Sequence, residues 1–300
     1  MQDVGEIEFA SRLTEIADRI TVVLDQLIPP AQGPEADLMR AMRHAALANG
    51  KRMRPFYVIE TGAMFDAPEQ NLLRTAAALE CIHTYSLVHD DLPCMDDDDF
   101  RRGQPTVHKA YGEATAVLAG DALLTMAFKI LANEDTHRDP KIRLLLIERL
   151  SDAAGPQGMV GGQMIDMLET ESPRDLNTIT RMQRLKTGAL ISYSVEAAAI
   201  IGGANEAERN ALYGFAHDLG LAYQIADDLL DATGNEAAVG KPLRTDAGAG
   251  KANFVTLLGV EQARERVRLL AAQARQHLAI FRNRANILLQ SVDFVLDRTR

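Results

Sequence analysis

An aspartate-rich segment is the first part of this sequence that could do chemistry, since six aspartates lie within ten residues starting at Asp90. Their mutual repulsion costs stability unless a cation lies among them. Carboxylate oxygens are ligands that magnesium prefers, and the guanidinium groups of the nearby Arg101 and Arg102 suit phosphate oxygens. A solvated acidic loop is the alternative interpretation. Because carboxylates and paired arginines occur together, the segment favours a site where magnesium joins carboxylates to a phosphate.

A second acidic motif contains Asp227, Asp228 and Asp231, three residues after Gln224. On a helical wheel these four side chains fall within an arc of about 100°. The surrounding run, residues 212–230, is mostly apolar, so the helix is expected to be buried rather than to present an exposed acidic face. Three buried carboxylates on one stripe need a partner, and a hard cation fits their oxygens.

Basic elements that could complete a diphosphate site occur in three places. The segment 50–55 is a short cationic loop, residues 186–188 interrupt an apolar helical run, and a Gly-rich stretch at 234–250 has the composition of a mobile lid. The basic residues concerned are Lys51, Arg54, Lys186, Lys241 and Lys251. Each has a plainer alternative, either a solvated basic turn or a lysine whose stem lies along apolar surface.

The elements that must position these groups are predicted to be helices nearly throughout. Apolar residues recur at three and four spacing over residues 9–27, 72–88, 117–131, 142–150, 179–201, 212–230 and 254–278. Several of these runs exceed the length of ordinary strands. No linker rich in Pro, Gly or Ser separates two halves. We therefore expect one all-α domain, residues 1–300, built as a bundle of about ten helices around a central active-site cavity.

Composition narrows the classes of function. The net charge of −10 opposes a nucleic-acid partner, and it means that an anionic ligand would need a bound cation. The N-terminal residues do not resemble a signal peptide, and no uninterrupted apolar stretch approaches the length of about 20 residues that a membrane span needs. The two cysteines form no disulfide framework. A cytoplasmic protein without stable membrane insertion is expected.

With both aspartate motifs, the paired arginines and the basic segments in this order, the chain from Gly50 to Lys251 resembles the trans-polyprenyl diphosphate synthases, in particular the bacterial farnesyl diphosphate synthase type. The resemblance implies magnesium, with manganese as a possible substitute, held by Asp90, Asp91, Asp96, Asp227, Asp228 and Asp231. It implies contact with the allylic diphosphate for Arg101, Lys186, Thr187, Gln224, Lys241 and Lys251. Among these, Lys186, Thr187 and Gln224 would be catalytic. It assigns isopentenyl diphosphate to Lys51, Arg54, His83 and Arg102.

The same resemblance implies a short-chain prenyltransferase acting as a homodimer. It would condense isopentenyl diphosphate with dimethylallyl and then geranyl diphosphate to give farnesyl diphosphate. Tyr85, five residues before Asp90, would close the pocket and set the product length, although core filling is its alternative role. The chain departs from the family pattern at Asn49 and at residues 252–255, after Lys251.

Three alternatives remain open from the sequence. Geranylgeranyl diphosphate is the second candidate product. A class I terpene cyclase shares the metal chemistry, but the second motif with three aspartates and the Lys51–Arg54 loop oppose it. A helical scaffold that binds divalent cations without catalysis is the non-enzymatic alternative.

Overall fold

The computed structural model describes residues 4–168, 175–233 and 253–297, and these residues are almost entirely helical. Fourteen α-helices lie in this part of the chain: α1 Val4–Leu27, α2 Ala36–Ala46, α3 Met53–Ala63, α4 Glu69–Asp90, α5 Val107–Tyr111, α6 Glu113–Ala132, α7 Pro140–Ala154, α8 Met159–Met167, α9 Leu176–Gln183, α10 Ala189–Ile201, α11 Glu206–Thr233, α12 Phe254–Leu258, α13 Val260–Leu278 and α14 Asn286–Asp297. The all-α prediction is confirmed. Short helices such as α5 and α12 raise the number above the ten expected.

Two predicted helical runs are broken in ways that the apolar spacing did not reveal. Residues 179–201 form α9 and α10 with one π-helical turn, Arg184–Gly188, between them. Residues 254–278 divide into α12 and α13 at Gly259, whose φ of 78° lies in the left-handed region that glycine tolerates best.

The chain forms two compact units, which are described separately. The first, here the N-terminal unit, comprises Ala10–Arg149 with Ile200–Gly203. The second, the C-terminal unit, comprises Met1–Phe9, Leu150–Ala199 and Ala204–Arg300. The expectation of a single domain over residues 1–300 stays a prediction.

Helix α4 is the centre of the N-terminal unit and packs against α2, α3 and α6. Its residues Ala76, Leu79 and Ile82 are fully buried. Toward its C-terminal end, the ring of His89 lies against Gly120 of α6, where any Cβ would come within 2.0 Å of the imidazole Nε2. This close approach, together with the apolar contacts, fixes α4 and its terminal aspartate against the rest of the unit.

A short β-hairpin follows the aspartate-rich loop. Strand β1, Phe100–Arg101, pairs antiparallel with β2, Gln104–Pro105, and Arg101 lies opposite Gln104. The two turn residues, Arg102 and Gly103, both have positive φ, at 54° and 78°. Positive φ at both positions is what a two-residue type I′ turn requires, so the Arg-Arg-Gly sequence is explained by the turn.

Helices α11 and α13 form the largest helix pair of the C-terminal unit. The buried side chains of α11 include Leu219, Ala222 and Ile225. The π-helical turn packs against this helix, and the Cα of Gly188 lies 3.5 Å from the position that a Cβ at Gly220 would take, which is ordinary van der Waals contact. The turn that carries Lys186 and Thr187 therefore lies against α11.

Within the described residues, one helix is long and apolar enough to span a membrane by length and composition, namely α6. Its sequence includes Glu113, Asp121 and Lys129, and 39 % of its most apolar window is buried against the protein. Core helices of water-soluble proteins meet the same criterion.

Candidate active site

The first aspartate motif occupies the end of α4 and a loop that folds back on it. The helix ends at Asp90, and the backbone N–H of Asp96 donates to the carbonyl of Asp90 at 2.8 Å. The loop is tightened by a bond from the Asp97 N–H to the Leu92 carbonyl at 3.2 Å, with Asp97 at a φ of 51°. The four residues between Asp91 and Asp96 thus form a compact turn that returns the third aspartate of the motif to the first.

Asp91, by contrast, is engaged by an arginine. Its carboxylate is 3 % exposed and accepts from the Nε of Arg101 at 2.7 and 2.9 Å. Burial raises the pKa of Asp91, while the hydrogen bonds and charge of Arg101 oppose that rise. Arg101 also reaches Asp98 at 3.4 Å. Arg101 therefore neutralises the most buried carboxylate of the motif, and any cation at Asp91 would have to share it with this guanidinium.

A cluster of cations surrounds His83, about two helical turns before Asp90. The side chain of His83 is half-buried, and its pKa lies well below the ordinary value because of burial and the charges of Arg54, Arg102, Arg52 and Arg101, in that order. An imidazole in this setting is neutral at neutral pH. The structure therefore brings together His83, Arg54 and Arg102, which the sequence assigned to one diphosphate.

Gly50 and Lys51 complete this part of the unit. The guanidinium of Arg102 lies over Gly50, where a Cβ would come within 2.7 Å of its Cζ. Glycine at position 50 thus leaves room for the arginine at the hairpin tip. Lys51 follows as an exposed residue immediately before the buried Arg52.

Tyr85 is 7 % exposed and meets the ring of His89 edge-on, with a centroid separation of 5.8 Å. Burial and the nearby charge of Asp90 raise the pKa of Tyr85 to about 12. Tyr85 and Asp90 therefore interact electrostatically, although an ideal helical wheel sets their side chains about 140° apart. The role of Tyr85 in product length stays a prediction.

In the C-terminal unit, the second aspartate motif lies on α11 as its periodicity predicted. Gln224, Asp227 and Asp231 are half-buried, and Asp228 is 8 % exposed. The Oδ2 of Asp228 accepts from the N–H of Phe254 at 2.9 Å, at the start of α12. One of the three predicted metal ligands is thus also a helix cap, a contact that the sequence did not reveal.

The departure from the family pattern at residues 252–255 has a structural explanation in the described part of that segment. Asn253 is the N-cap of α12, and its side chain accepts from the N–H of Thr256 at 2.9 Å. The hydroxyl of Thr256 accepts in return from the N–H of Asn253 at 2.8 Å. This reciprocal pair is a capping box, so Asn253 starts a helix beside Asp228.

Lys186 and Thr187 lie in the π-helical turn between α9 and α10. π-Helical turns inside helices are frequent at functional sites. The Nζ of Lys186 donates to the Oδ2 of Asp166 on α8 at 2.5 Å. Gly162, one turn before Asp166, lies so close to the backbone of Lys186 that a Cβ would fall 2.2 Å from its N atom. Asp166 is therefore the ion-pair partner of a candidate site residue.

The donor sets can be tested for their fit to magnesium. Asp90 and Asp96 in one unit, and Asp227 and Asp231 in the other, offer carboxylate oxygens on half-buried or exposed side chains, which is the donor type that a hard cation takes. A further group, Asp97, Asp99 and His108, has ligand-type atoms within 4.8 Å of one another. The ammonium of Lys109 already lies 2.7 Å from Asp99, so this group has a cation of its own.

The residues that the sequence assigned to the site occur in both units. The N-terminal unit carries Lys51, Arg54, His83, Tyr85, Asp90, Asp91, Asp96, Arg101 and Arg102, and the C-terminal unit carries Lys186, Thr187, Gln224, Asp227, Asp228 and Asp231. Lys241, Lys251 and the Gly-rich stretch 234–250 lie outside the described residues. The roles assigned to all of these residues stay predictions.

Comparison with known proteins adds independent information. Residues 35–284 match the family model described as polyprenyl synthetase. The chain is 45 % identical over 276 residues to a farnesyl diphosphate synthase of Geobacillus stearothermophilus, covering 92 % of this chain and 93 % of that protein. It is 42 % identical over 276 residues to a farnesyl diphosphate synthase of Escherichia coli, covering 91 % and 92 %.

A solved structure agrees with these relatives. The apo structure of an FPP/GFPP synthase from Zymomonas mobilis superposes with a TM-score of 0.89 at 45 % identity, covering 97 % of this chain and 99 % of that chain. Similarity at this level extends over the fold as well as the motifs, so the resemblance read from the aspartate and arginine motifs is confirmed.

Proposed function

The chain belongs to the polyprenyl synthetase family, and on that premise we propose that it condenses isopentenyl diphosphate with dimethylallyl and then geranyl diphosphate to give farnesyl diphosphate. The observation that carries the proposal is the meeting, at the end of α4, of a carboxylate loop with a cluster of guanidiniums. The loop is closed by the bond from Asp96 to Asp90, and the cluster comprises Arg54, Arg101 and Arg102 around a neutral His83.

Asp90 and Asp96 would hold magnesium in the N-terminal unit, and Asp227 and Asp231 would hold it in the C-terminal unit. When bound, magnesium supplies Lewis-acid charge that stabilises the oxygen of the leaving diphosphate. Asp91 and Asp228 would support the magnesium sites partly by positioning neighbouring residues, because each carboxylate already accepts a hydrogen bond from the protein. Manganese is expected to substitute because it accepts the same oxygen donors.

The remaining residues would bind and orient the two substrates. Arg102, Arg54 and Lys51 offer positive charge to isopentenyl diphosphate, and a neutral His83 can donate one hydrogen bond without adding to the repulsion among the guanidiniums. Lys186 and Thr187, in the π-helical turn, would meet the allylic substrate, with the Gln224 carbonyl dipole directed at positive charge on the allylic carbon. Lys241 and Lys251 are proposed to contribute further charge to the allylic diphosphate.

Farnesyl diphosphate is the proposed product because the relatives at 42–45 % identity are farnesyl diphosphate synthases and Tyr85 is a bulky residue five positions before Asp90. Geranylgeranyl diphosphate remains the second candidate, with a weaker basis. A cytoplasmic setting is also proposed, and the two free cysteines, Cys81 and Cys94, are consistent with reducing surroundings.

A homodimer is proposed on the basis of the exposed face of α6. Val117 is 41 % exposed and Leu118 is 56 % exposed, next to the buried Gly120 that holds His89. A second copy of the chain would cover this apolar face. Light scattering after size-exclusion chromatography should give a dimer for the wild type and a smaller mass for Leu118→Glu; an unchanged mass would contradict this choice of surface.

Product analysis tests the activity directly. The protein is incubated with dimethylallyl diphosphate, labelled isopentenyl diphosphate and magnesium, and the labelled chains are separated by length. We expect C15 diphosphate as the main product and no product after chelation of the metal. Absence of any longer diphosphate would overturn the proposed function, and cyclised hydrocarbon would favour a terpene cyclase instead.

A further inference from the structure

A buried ion pair lies next to the cation cluster of the N-terminal unit and is not part of the predicted site. The Nη1 of Arg52 donates to the Oε1 of Glu80, and the exposed fractions of the two side chains are 1 % and 2 %. Ion pairs this deeply buried seldom add net stability compared with apolar residues of the same shape. The charges of Arg52 and Glu80 are therefore better explained by a functional role than by a contribution to stability.

Arg52 connects three elements through one guanidinium. Its Nη2 donates to the carbonyls of Ala46 and Ala48 at 2.6 and 2.9 Å, at the C-terminal end of α2. Its backbone, with a φ of 48°, begins α3 as the N-cap residue. A left-handed conformation is unfavourable at a non-glycine residue. The buried guanidinium holds the backbone in this conformation, and that backbone sets the direction of Lys51, which precedes it, and of Arg54, two residues after it.

Glu80 links this arrangement to the other diphosphate-binding candidates. It lies on α4 one turn before His83, so the two side chains share a face of the helix. Its charge raises the pKa of Arg102, against the lowering by burial and by the neighbouring arginines. Glu80 is therefore the ion-pair partner of Arg52, and its charge also acts on Arg102, which comes from a different element.

We propose that Glu80 is a positioning residue for the isopentenyl diphosphate site: its carboxylate holds Arg52, and through Arg52 the Lys51–Arg54 segment, in the geometry that receives the second diphosphate. This inference rests on the proposed function. Glu80 itself does not touch the substrate, because its side chain is enclosed by the protein.

Charge alone makes the opposite prediction, which allows a sharp test. Replacing Glu80 by Gln removes a negative charge beside several guanidiniums, so a purely electrostatic effect would strengthen the binding of an anionic diphosphate and lower its KM. A positioning role raises that KM, since Arg52 loses its charged partner and the segment it holds loses its fixed direction. The sign of the change distinguishes the two.

The experiment compares Glu80→Gln with the matched control Glu60→Gln. Glu60 on α3 is also a buried glutamate bonded to an arginine, with the Nε of Arg12 at 2.6 Å from its Oε1, but it belongs to no diphosphate-binding cluster. For Glu80→Gln we expect the KM for isopentenyl diphosphate to rise about tenfold or more while the KM for dimethylallyl diphosphate changes less than about twofold. Glu60→Gln should leave both values near those of the wild type.

Arg52→Lys provides a second route to the same result. Lysine keeps the charge, but its single ammonium cannot serve both Glu80 and two backbone carbonyls in fork geometry, so the same selective rise in KM is expected. Circular dichroism and thermal unfolding confirm that each variant is folded.

A lowered or unchanged KM for isopentenyl diphosphate, or an equal rise in both KM values, would overturn the positioning role while leaving the proposed activity in place. A folded wild type that forms no elongated product would instead overturn the proposed function, and the positioning role with it.

Discussion

The pairing of Arg101 with Asp91 leads to a prediction that links the stability of the N-terminal unit to pH. Replacing Arg101 by Met keeps much of the side-chain volume but removes the guanidinium that bonds both oxygens of a carboxylate that is 3 % exposed. The variant therefore leaves a buried carboxylate without its charged partner. Hydrogen bonds from water cannot replace the lost bonds fully at so low an exposure.

The size of the effect follows from the burial of the two partners. Breaking a fully buried ion pair by removing one partner costs about 3–5 kcal/mol. The side chain of Arg101 is 31 % exposed, so solvent already screens part of the interaction, and we reduce the expected loss to about 2–3 kcal/mol near pH 8. For a chain of this size that loss lowers the unfolding midpoint by about 4–12 °C.

The pH dependence gives the test its direction. The pKa of Asp91 in the folded protein is already raised by burial, and Arg101 opposes the rise, so removal of Arg101 raises it further. A carboxyl whose folded pKa is raised contributes stability that is present below its unfolded pKa and lost as pH rises through the folded pKa. The difference between variant and wild type should therefore be small near pH 4 and grow toward pH 8.

Thermal unfolding of both proteins from about pH 4 to pH 8 measures this difference. Lys109→Met is the control, since it breaks an exposed ion pair with Asp99 at the base of the same hairpin, and it should leave the midpoint near that of the wild type. A loss for Arg101→Met that is the same at all pH values would show that the carboxylate of Asp91 is not what the arginine stabilises.

Two further predictions concern activity. Tyr85→Ala should lengthen the product, because an additional isoprene unit of five carbons could bury apolar surface worth up to about 4 kcal/mol where the ring now lies. Chromatography of the products measures their length, and an unchanged profile would show that Tyr85 only fills the core. Asp90→Ala should lower kcat by orders of magnitude with an unchanged circular dichroism spectrum. The control Asp98→Ala, on the exposed side of the loop, should retain most activity. Turnover of Asp90→Ala near the wild-type level would contradict the assignment of Asp90 as a metal ligand.

The end of α4 shows how far the sequence could predict this site. The motif composition predicted a carboxylate and arginine site, and Pro93 explains why the helix stops near Asp90. The return of Asp96 to the Asp90 carbonyl could not be predicted, because it depends on the backbone path of the loop between them, about which helical spacing carries no information. The resemblance assigned Arg101 and Arg102 to different diphosphates, but their contacts with Asp91 and over Gly50 depend on the register of a two-residue hairpin, which an all-helical pattern does not indicate.

In the C-terminal unit, the helical periodicity correctly predicted that Asp227, Asp228 and Asp231 lie together on one helix, α11, because a 3.6-residue repeat is maintained along a long helix. The bond from Phe254 to Asp228 joins residues 26 apart in sequence, and helical spacing carries no information about such contacts. The pairing of Asp166 with Lys186 could not be predicted for the same reason: Lys186 lies 20 residues away, in a π-helical turn that the apolar spacing does not distinguish from α-helix.

The two-residue hairpin at 100–105 also fixes the number of residues that can separate it from the aspartate-rich loop. The side chain of Arg101 extends from the hairpin to Asp91, and the side chain of Arg102, in the turn, lies over Gly50. An insertion of one residue between Asp96 and Arg101 would move Arg101 to the position of Arg102 and Arg102 to that of Gly103, so neither arginine would keep its present contact. This segment should therefore accept changes of residue type far more readily than changes of length, and engineered loops or tags are better placed elsewhere in the chain.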